Sequence, residues 1–215
     1  MSAPSRPALG VVAAQGQPII RADERLLPVP AALAALLPNG GLRRGSTVVV
    51  ADSAGLLLAL LGPASAAGAH LAIVGLPDLG MVAAAEAGID LRRTHLVPDP
   101  GSRWPQVVAT LVEGIELVVV GPPPWLSPSL ARRLGARAQV AAAVLVATGP
   151  WPGAELTLTI RRQCWYGLDP AGGGHLRARR AEVAVTGRRL GAERRAWLWL
   201  PGEDGRVSAA QLPHW

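Results

Sequence analysis

The sequence predicts one α/β domain on a central, mostly parallel sheet flanked by helices, with antiparallel strands added at its C-terminal end. Three observations predict this. Short, uniformly apolar runs at 47–51, 70–75 and 115–120 alternate with helix-like stretches. Strands that are apolar throughout belong to sheets covered on both faces. The chain has 215 residues, half of them apolar, which suffices for one domain with a sizeable core. After Gly149–Pro150–Trp151–Pro152–Gly153 the pattern changes to partial period-two alternation with arginine-rich flanks. That pattern reads as antiparallel strands extending the same sheet.

Taken in order, residues 1–17 are rich in Ala, Ser, Pro and Gly and are expected to be disordered. The domain is expected over 18–202. Pro30 opens a short helix through Leu37, which Asn39–Gly40–Gly41 ends. Thr47–Ala51 is the first core strand and Gly55–Ala67 the first long helix. His70–Gly75 is a second strand. Asp78 caps a helix through Ala87, stopped by Gly88. His95–Val97 is a short strand, Trp104–Glu113 a helix, and Ile115–Val120 a strand. Ser127–Pro128 opens a helix to about Ala138, and Val140–Thr148 is the next strand. The extension, 155–202, holds strands Glu155–Arg162, Arg179–Thr186 and Arg195–Leu200, with a Gly172–Gly173–Gly174 turn. Residues 203–215 form a C-terminal tail.

Composition narrows the function. All 21 basic residues are Arg; there is no Lys. The net charge of +6 permits contact with nucleic acid or an acidic partner. The single cysteine, Cys164, excludes an internal disulfide framework and fits a reducing cytosol. No run has the length and flanks of a membrane span, and the N-terminus lacks signal-peptide features, so a cytoplasmic protein is expected. His70, His95, His175 and His214 lack metal-ligand spacing. No nucleophile–base order or paired carboxylates stand out.

The strand–loop–helix at 47–58 is where a phosphate loop would sit. Such a loop needs two glycines, a lysine for the phosphate charge and a hydroxyl for Mg²⁺. The second glycine, Gly55, is present. Val50 holds the first glycine position, Leu56 the lysine position and Leu57 the hydroxyl position. The strand 115–120 ends in Gly121 and Pro122, without the Asp that would hold Mg²⁺. Asp52–Ser53–Ala54–Gly55 reads either as a helix cap or as an anion site at a helix N-terminus.

Between about Arg25 and Leu200 the chain resembles the RecA-like ATPase core. Gly40–Gly41–Leu42–Arg43–Arg44–Gly45 resembles the lead into the RecA phosphate loop. Ile115–Val120 resembles the Walker B strand, and Leu158–Arg162 with Glu182–Thr186 resembles the paired C-terminal strands. The departures are systematic. Gly75–Leu76–Pro77 replaces the water-activating glutamate region, Thr148–Gly149 lacks the sensor Gln, and the 121–139 connection is too short for RecA's DNA loops. Phosphoryl transfer depends on positioned charge, so a non-enzyme without cofactor or metal is expected. Degenerate chains of this kind resemble the ImuA proteins, most closely the actinobacterial ImuA-prime branch, and the related SulA-type division inhibitors. ImuA-prime resemblance implies an accessory role in SOS-induced mutagenic translesion synthesis. Its implied partners are an inactive Y-family polymerase homologue (ImuB) and an error-prone replicative-type polymerase. SulA resemblance would imply inhibition of the division GTPase.

Candidate partner-binding residues lie mainly in the C-terminal third. Ten arginines fall between Arg161 and Arg206, with doublets at Arg161–Arg162, Arg179–Arg180, Arg188–Arg189 and Arg194–Arg195. A doublet in a strand puts one side chain on each face. A solvated edge, an acidic protein partner and a DNA backbone all fit these arginines. Trp125 follows three prolines on a stiff loop; Trp197 and Trp199 share a face, in the core or at an interface. Gln211, Leu212 and Trp215 loosely match the peptide that docks on the bacterial sliding clamp.

Overall fold

The computed structural model describes residues 26–169, 173–188 and 190–211. The expected disordered segment 1–17, Arg189, Leu212 and Trp215 lie outside them. The sequence strands assemble as read. β1 (Leu26–Leu27) and β2 (Leu42–Arg43) form a small antiparallel pair. A nine-stranded sheet comprises β3 (Thr47–Val50), β4 (Leu71–Val74), β5 (Thr94–Val97), β6 (Leu117–Val120), β7 (Val144–Ala147), β8 (Leu156–Leu168), β9 (Gly174–Gly187), β10 (Arg194–Trp199) and β11 (Ser208–Ala209). Its order is β11-β10-β9-β8-β3-β7-β6-β4-β5. Pairings from β8 through β3 to β5 are parallel, and those from β8 to β11 antiparallel.

Alternation along the strands makes two cores. On the first face, Val48, Val50, Ile73, Leu117, Val119 and Val146 pack under α1 (Ala31–Ala34), α2 (Ala54–Ala66) and α3 (Met81–Glu86). On the second, Val49, Val74, Val118, Val120 and Leu145 pack under α4 (Trp104–Gly114) and α5 (Pro128–Val140). α4 buries Trp104, Val108 and Val112, one every turn; α5 buries Ala131, Leu134 and Ala138. α2 differs: Leu56 through Gly62 are all buried, because the sheet lies beneath it and α1 and α3 lie against it. Ser53 starts α2 by accepting a hydrogen bond from the Leu56 amide at 3.2 Å, and Ser127 does the same for α5 through Leu130.

Several boundaries differ from the sequence expectation. Asp78 does not cap α3; Gly80 precedes its first turn and Asp78 stays in the preceding loop. Val140 ends α5 at 90% exposure, and the strand starts only at Val144 after a left-handed Ala142. Helix propensity of the Ala/Arg run carries α5 past the expected stop. β8 and β9 run to Leu168 and from Gly174, farther than their apolar stretches, because they pair with each other. Within residues 203–215, Ser208 and Ala209 pair with β10.

Gly62 gives a sharp test. A Cβ there would overlap the Ala87 carbonyl oxygen at the end of α3. Helix propensity alone favours Gly62→Ala by roughly 1 kcal/mol. We expect instead destabilisation by about 1–3 kcal/mol, as for overpacking. Urea denaturation monitored by circular dichroism measures the sign.

Candidate functional site

At the carboxyl ends of β3, β4 and β7 lies a cleft of about 390 Å³. In open α/β sheets this edge is where ligands bind. Here it is lined by Val50, Asp52, Ser53, Leu57, Asp78 and Thr148, among others. Its charged lining residues are two aspartates, with no arginine. That field opposes a phosphate rather than attracting one.

The positions that the sequence aligns with a phosphate loop are filled by packing. β3 passes to α2 through Ala51, Asp52 and Ser53 alone, with Asp52 left-handed at φ 52°. Val50, Leu56 and Leu57 are at most 1% exposed and belong to the first core. A Cβ on Gly55 would come 2.7 Å from an Arg179 guanidinium nitrogen. Gly41 lies against the Leu27 carbonyl, where a Cβ would come within 2.8 Å, so the glycine-rich lead serves the β1–β2 pair. Gly121 is closed most completely. A Cβ there would overlap the Gly75 carbonyl oxygen and meet Leu76 at 3.0 Å. The Gly121 carbonyl also accepts the Trp104 indole N–H at 3.1 Å.

The arginine doublets divide between faces. Arg179 turns to the first face, buried at 9% exposure. It donates to the Leu200 carbonyl at 2.6 Å and to Gln163 at 3.3 Å, and lies 5.1 Å from the Trp165 ring. Burial pulls its pKa below the usual arginine range. Arg179 therefore leaves the set of surface partner-binding candidates: its hydrogen bonds join strand to chain. Arg194 donates to the Leu37 carbonyl at 3.3 Å, tying β10 to the turn after α1. Arg180 turns to the second face, 5.3 Å from the Trp197 ring, and donates to the Gln211 carbonyl. Arg195 joins an ion-pair chain with Glu193 and Glu182, which also includes Arg161 and Arg162. Hydrogen bonds from Arg161 and then Arg195 hold the Glu193 carboxyl below its ordinary pKa. Arg188 is exposed, 3.9 Å from a Cβ position on Gly153. Trp125 is 53% exposed, edge-on to Trp104 at 6.2 Å.

The structure also presents groups the sequence did not single out as a surface. On the second face of β8–β10, Tyr166 meets Trp199 edge-on at 5.2 Å. The second core contains no residue of β8, β9 or β10. Tyr166, Leu168 and Leu176 are 39–58% exposed. The signal was present in Trp165–Tyr166–Gly167–Leu168 before the triple-glycine turn, but the alternation is broken there by a register shift. Cys164 is exposed. His70 and His95 stack at 6.0 Å, and no metal-holding cluster occurs among the described residues.

The family model described as the MT3502 N-terminal domain matches residues 35–153. The chain belongs to this family. The match spans β2 to the turn before β8, that is, the parallel core and its cleft, and stops where the antiparallel extension begins. The chain is also 38% identical over 157 residues to the uncharacterized protein Rv3395c of Mycobacterium tuberculosis, covering 69% of this chain and 74% of that protein. The extension, outside the matched range, carries the arginine doublets together with Trp165, Trp197 and Trp199.

A carboxylate placed at the end of β6 tests the closure. Gly121→Asp should destabilise the fold by about 1–3 kcal/mol, since its side chain overpacks the strand ends. Thermal unfolding with and without Mg²⁺ measures it; a variant as stable as the parent would mean the strand ends part freely.

Proposed function

We propose that this protein is a non-catalytic accessory factor in SOS-induced mutagenic translesion synthesis. It binds an ImuB-type inactive Y-family polymerase homologue and, with it, an error-prone replicative-type polymerase. This reading rests on the ImuA-prime resemblance. The observation that carries it is the joint closure of Val50, Leu56, Leu57 and Gly121 by packing, beside a C-terminal sheet with exposed arginine and aromatic side chains. Arg and Trp are enriched at interface hot spots, so the extension is the proposed contact surface. The parallel core offers mostly Ala, Leu and Val already packed against itself. No helix among the described residues is long and apolar enough to cross a membrane, and action in the cytoplasm is part of the proposal.

Two measurements check it. Isothermal titration with Mg-ATP should give no binding in the micromolar range. Capture of the full chain by the polymerase homologue should weaken at least about fivefold in Arg188→Ala or Arg195→Ala, the loss of about 1 kcal/mol that marks a contributing interface residue. A chain ending at Gln211 keeps the β10–β11 pair and the Arg180–Gln211 hydrogen bond, and should be captured as well as the full chain if residues 212–215 take no part. Filamentation on forced expression, with normal damage-induced mutagenesis, would favour the division-inhibitor reading instead.

A further inference from the structure

The β8–β9 hairpin runs past the rest of the sheet. β3 pairs with β8 only over Leu156–Leu158, and β10 pairs with β9 only from Arg180 onward. Only beyond Cys164 on β8 and Arg180 on β9 is the hairpin a two-stranded arm. Residues 161–180 hold five arginines against one carboxylate, Asp169, a surplus of four out of the chain's +6. Asp169 is occupied in the turn, accepting the Gly173 amide at 3.0 Å. Over the whole extension, residues 156–199, nine arginines stand against three carboxylates, so the positive charge of the molecule is concentrated there. A polyanion is the complementary ligand.

The second face of this ribbon has a particular composition. Tyr166 on β8 and Trp199 on β10 meet edge-on, and Trp197 lies beside them under the Arg180 guanidinium. Arg162 and Arg195 flank the rings, 3.9 Å and 4.0 Å from the carboxylate of Glu182 between them. The Arg162 side chain is 71% exposed and Arg195 53%, while Glu182 is only 14% exposed. The cations therefore face outward and the carboxylate lies underneath. No residue of these strands enters the core beneath α4 and α5. Aromatic rings on an open sheet, bordered by arginines, are the means by which proteins hold unpaired bases and their phosphates. A duplex hides its base faces and would leave the rings without partners.

We infer that the helix-free face of β8–β10 binds single-stranded DNA. Bases stack on Tyr166 and Trp199, and Arg162 and Arg195 hold the phosphates, while Arg180 covers Trp197 and ties it to Gln211. Trp165, the next residue to Tyr166, points to the opposite face, where Arg179 lies 5.1 Å from its ring. It takes no part, and so provides a control on the same strand. The inference goes beyond the accessory-factor reading and is independent of it, because it concerns the chain alone.

The test is fluorescence anisotropy of a labelled oligo-dT of about 20 nucleotides, titrated with the full chain at several salt concentrations. Binding should weaken as salt rises. Tyr166→Ala and Trp199→Ala should each weaken it roughly tenfold, the range of one lost base stack. Arg162→Ala should lower the salt slope by about 0.7, the loss of one phosphate contact on a single strand. Trp165→Ala should stay within about twofold of the parent. Tyr166→Phe should bind like the parent, which separates lost stacking from lost folding. Quenching of the parent's tryptophan fluorescence by the unlabelled oligomer needs no variant and should track the anisotropy. Absence of binding at tens of micromolar protein would overturn the inference. So would equal loss in Trp165→Ala and Tyr166→Ala, equal affinity for a duplex of the same length, or displacement by an acidic peptide at lower concentration than by DNA. Loss of polymerase capture would not bear on it.

Discussion

Burial of four strands on both faces is the constraint from which the rest follows. Every residue of β3, β4, β6 and β7 is at most 6% exposed. A strand buried on both sides needs cover on both sides, so helices lie above and below. Burying apolar surface contributes roughly 25 cal/mol per Å², and these strands gain it on each face. Parallel pairing follows, since the chain must cross over the sheet between successive strands to supply that cover. Parallel pairing in turn gathers the carboxyl ends of β3, β4 and β7 at one edge, where the cleft lies.

The two faces then part company. The first core continues beneath the antiparallel strands through Leu158, Ala181, Val183, Val185 and Leu198, which fastens the extension to the domain. The second core ends at β3. Alternate residues of β9 therefore meet opposite environments. Val183 and Val185 are fully buried, while Arg180 and Glu182 remain partly open. The arginine doublets record the same split of faces, with Arg179 and Arg194 on the covered side and Arg180 and Arg195 on the helix-free side, where Arg180 still holds the Gln211 carbonyl.

Much of this was legible from residue order. The uniformly apolar runs gave strands because no other element of that length buries both faces, and Ser53 and Ser127 gave helix starts through their side-chain oxygens. The doublet rule placed Arg179 and Arg180 on opposite faces. What could not be read was long-range. Nothing local to Arg179 says that it reaches the first turn of α2 and the Leu200 carbonyl. The β1–β2 and β10–β11 pairs are two residues each, too short for periodicity, and arise from tertiary neighbours. That residue types needed for a phosphate loop are missing was visible. The filling of those positions by the Leu27 carbonyl, the Gly75 carbonyl and a guanidinium was not, because those groups come from elsewhere in the chain.

The approach of Gly75 to Gly121 couples the ends of two strands. Two strand ends touch through backbone atoms, with Gly75 left-handed at φ 71° and its carbonyl in the space a side chain at 121 would need. Any larger residue at 121 requires residues 75 and 76 to withdraw first. A larger residue at 75 is strained by that φ, whatever occupies 121. The cost at 121 is thus contact with a neighbouring strand end, and the cost at 75 is its own backbone conformation. A side chain at 121 must displace the backbone of another strand, not only its own loop.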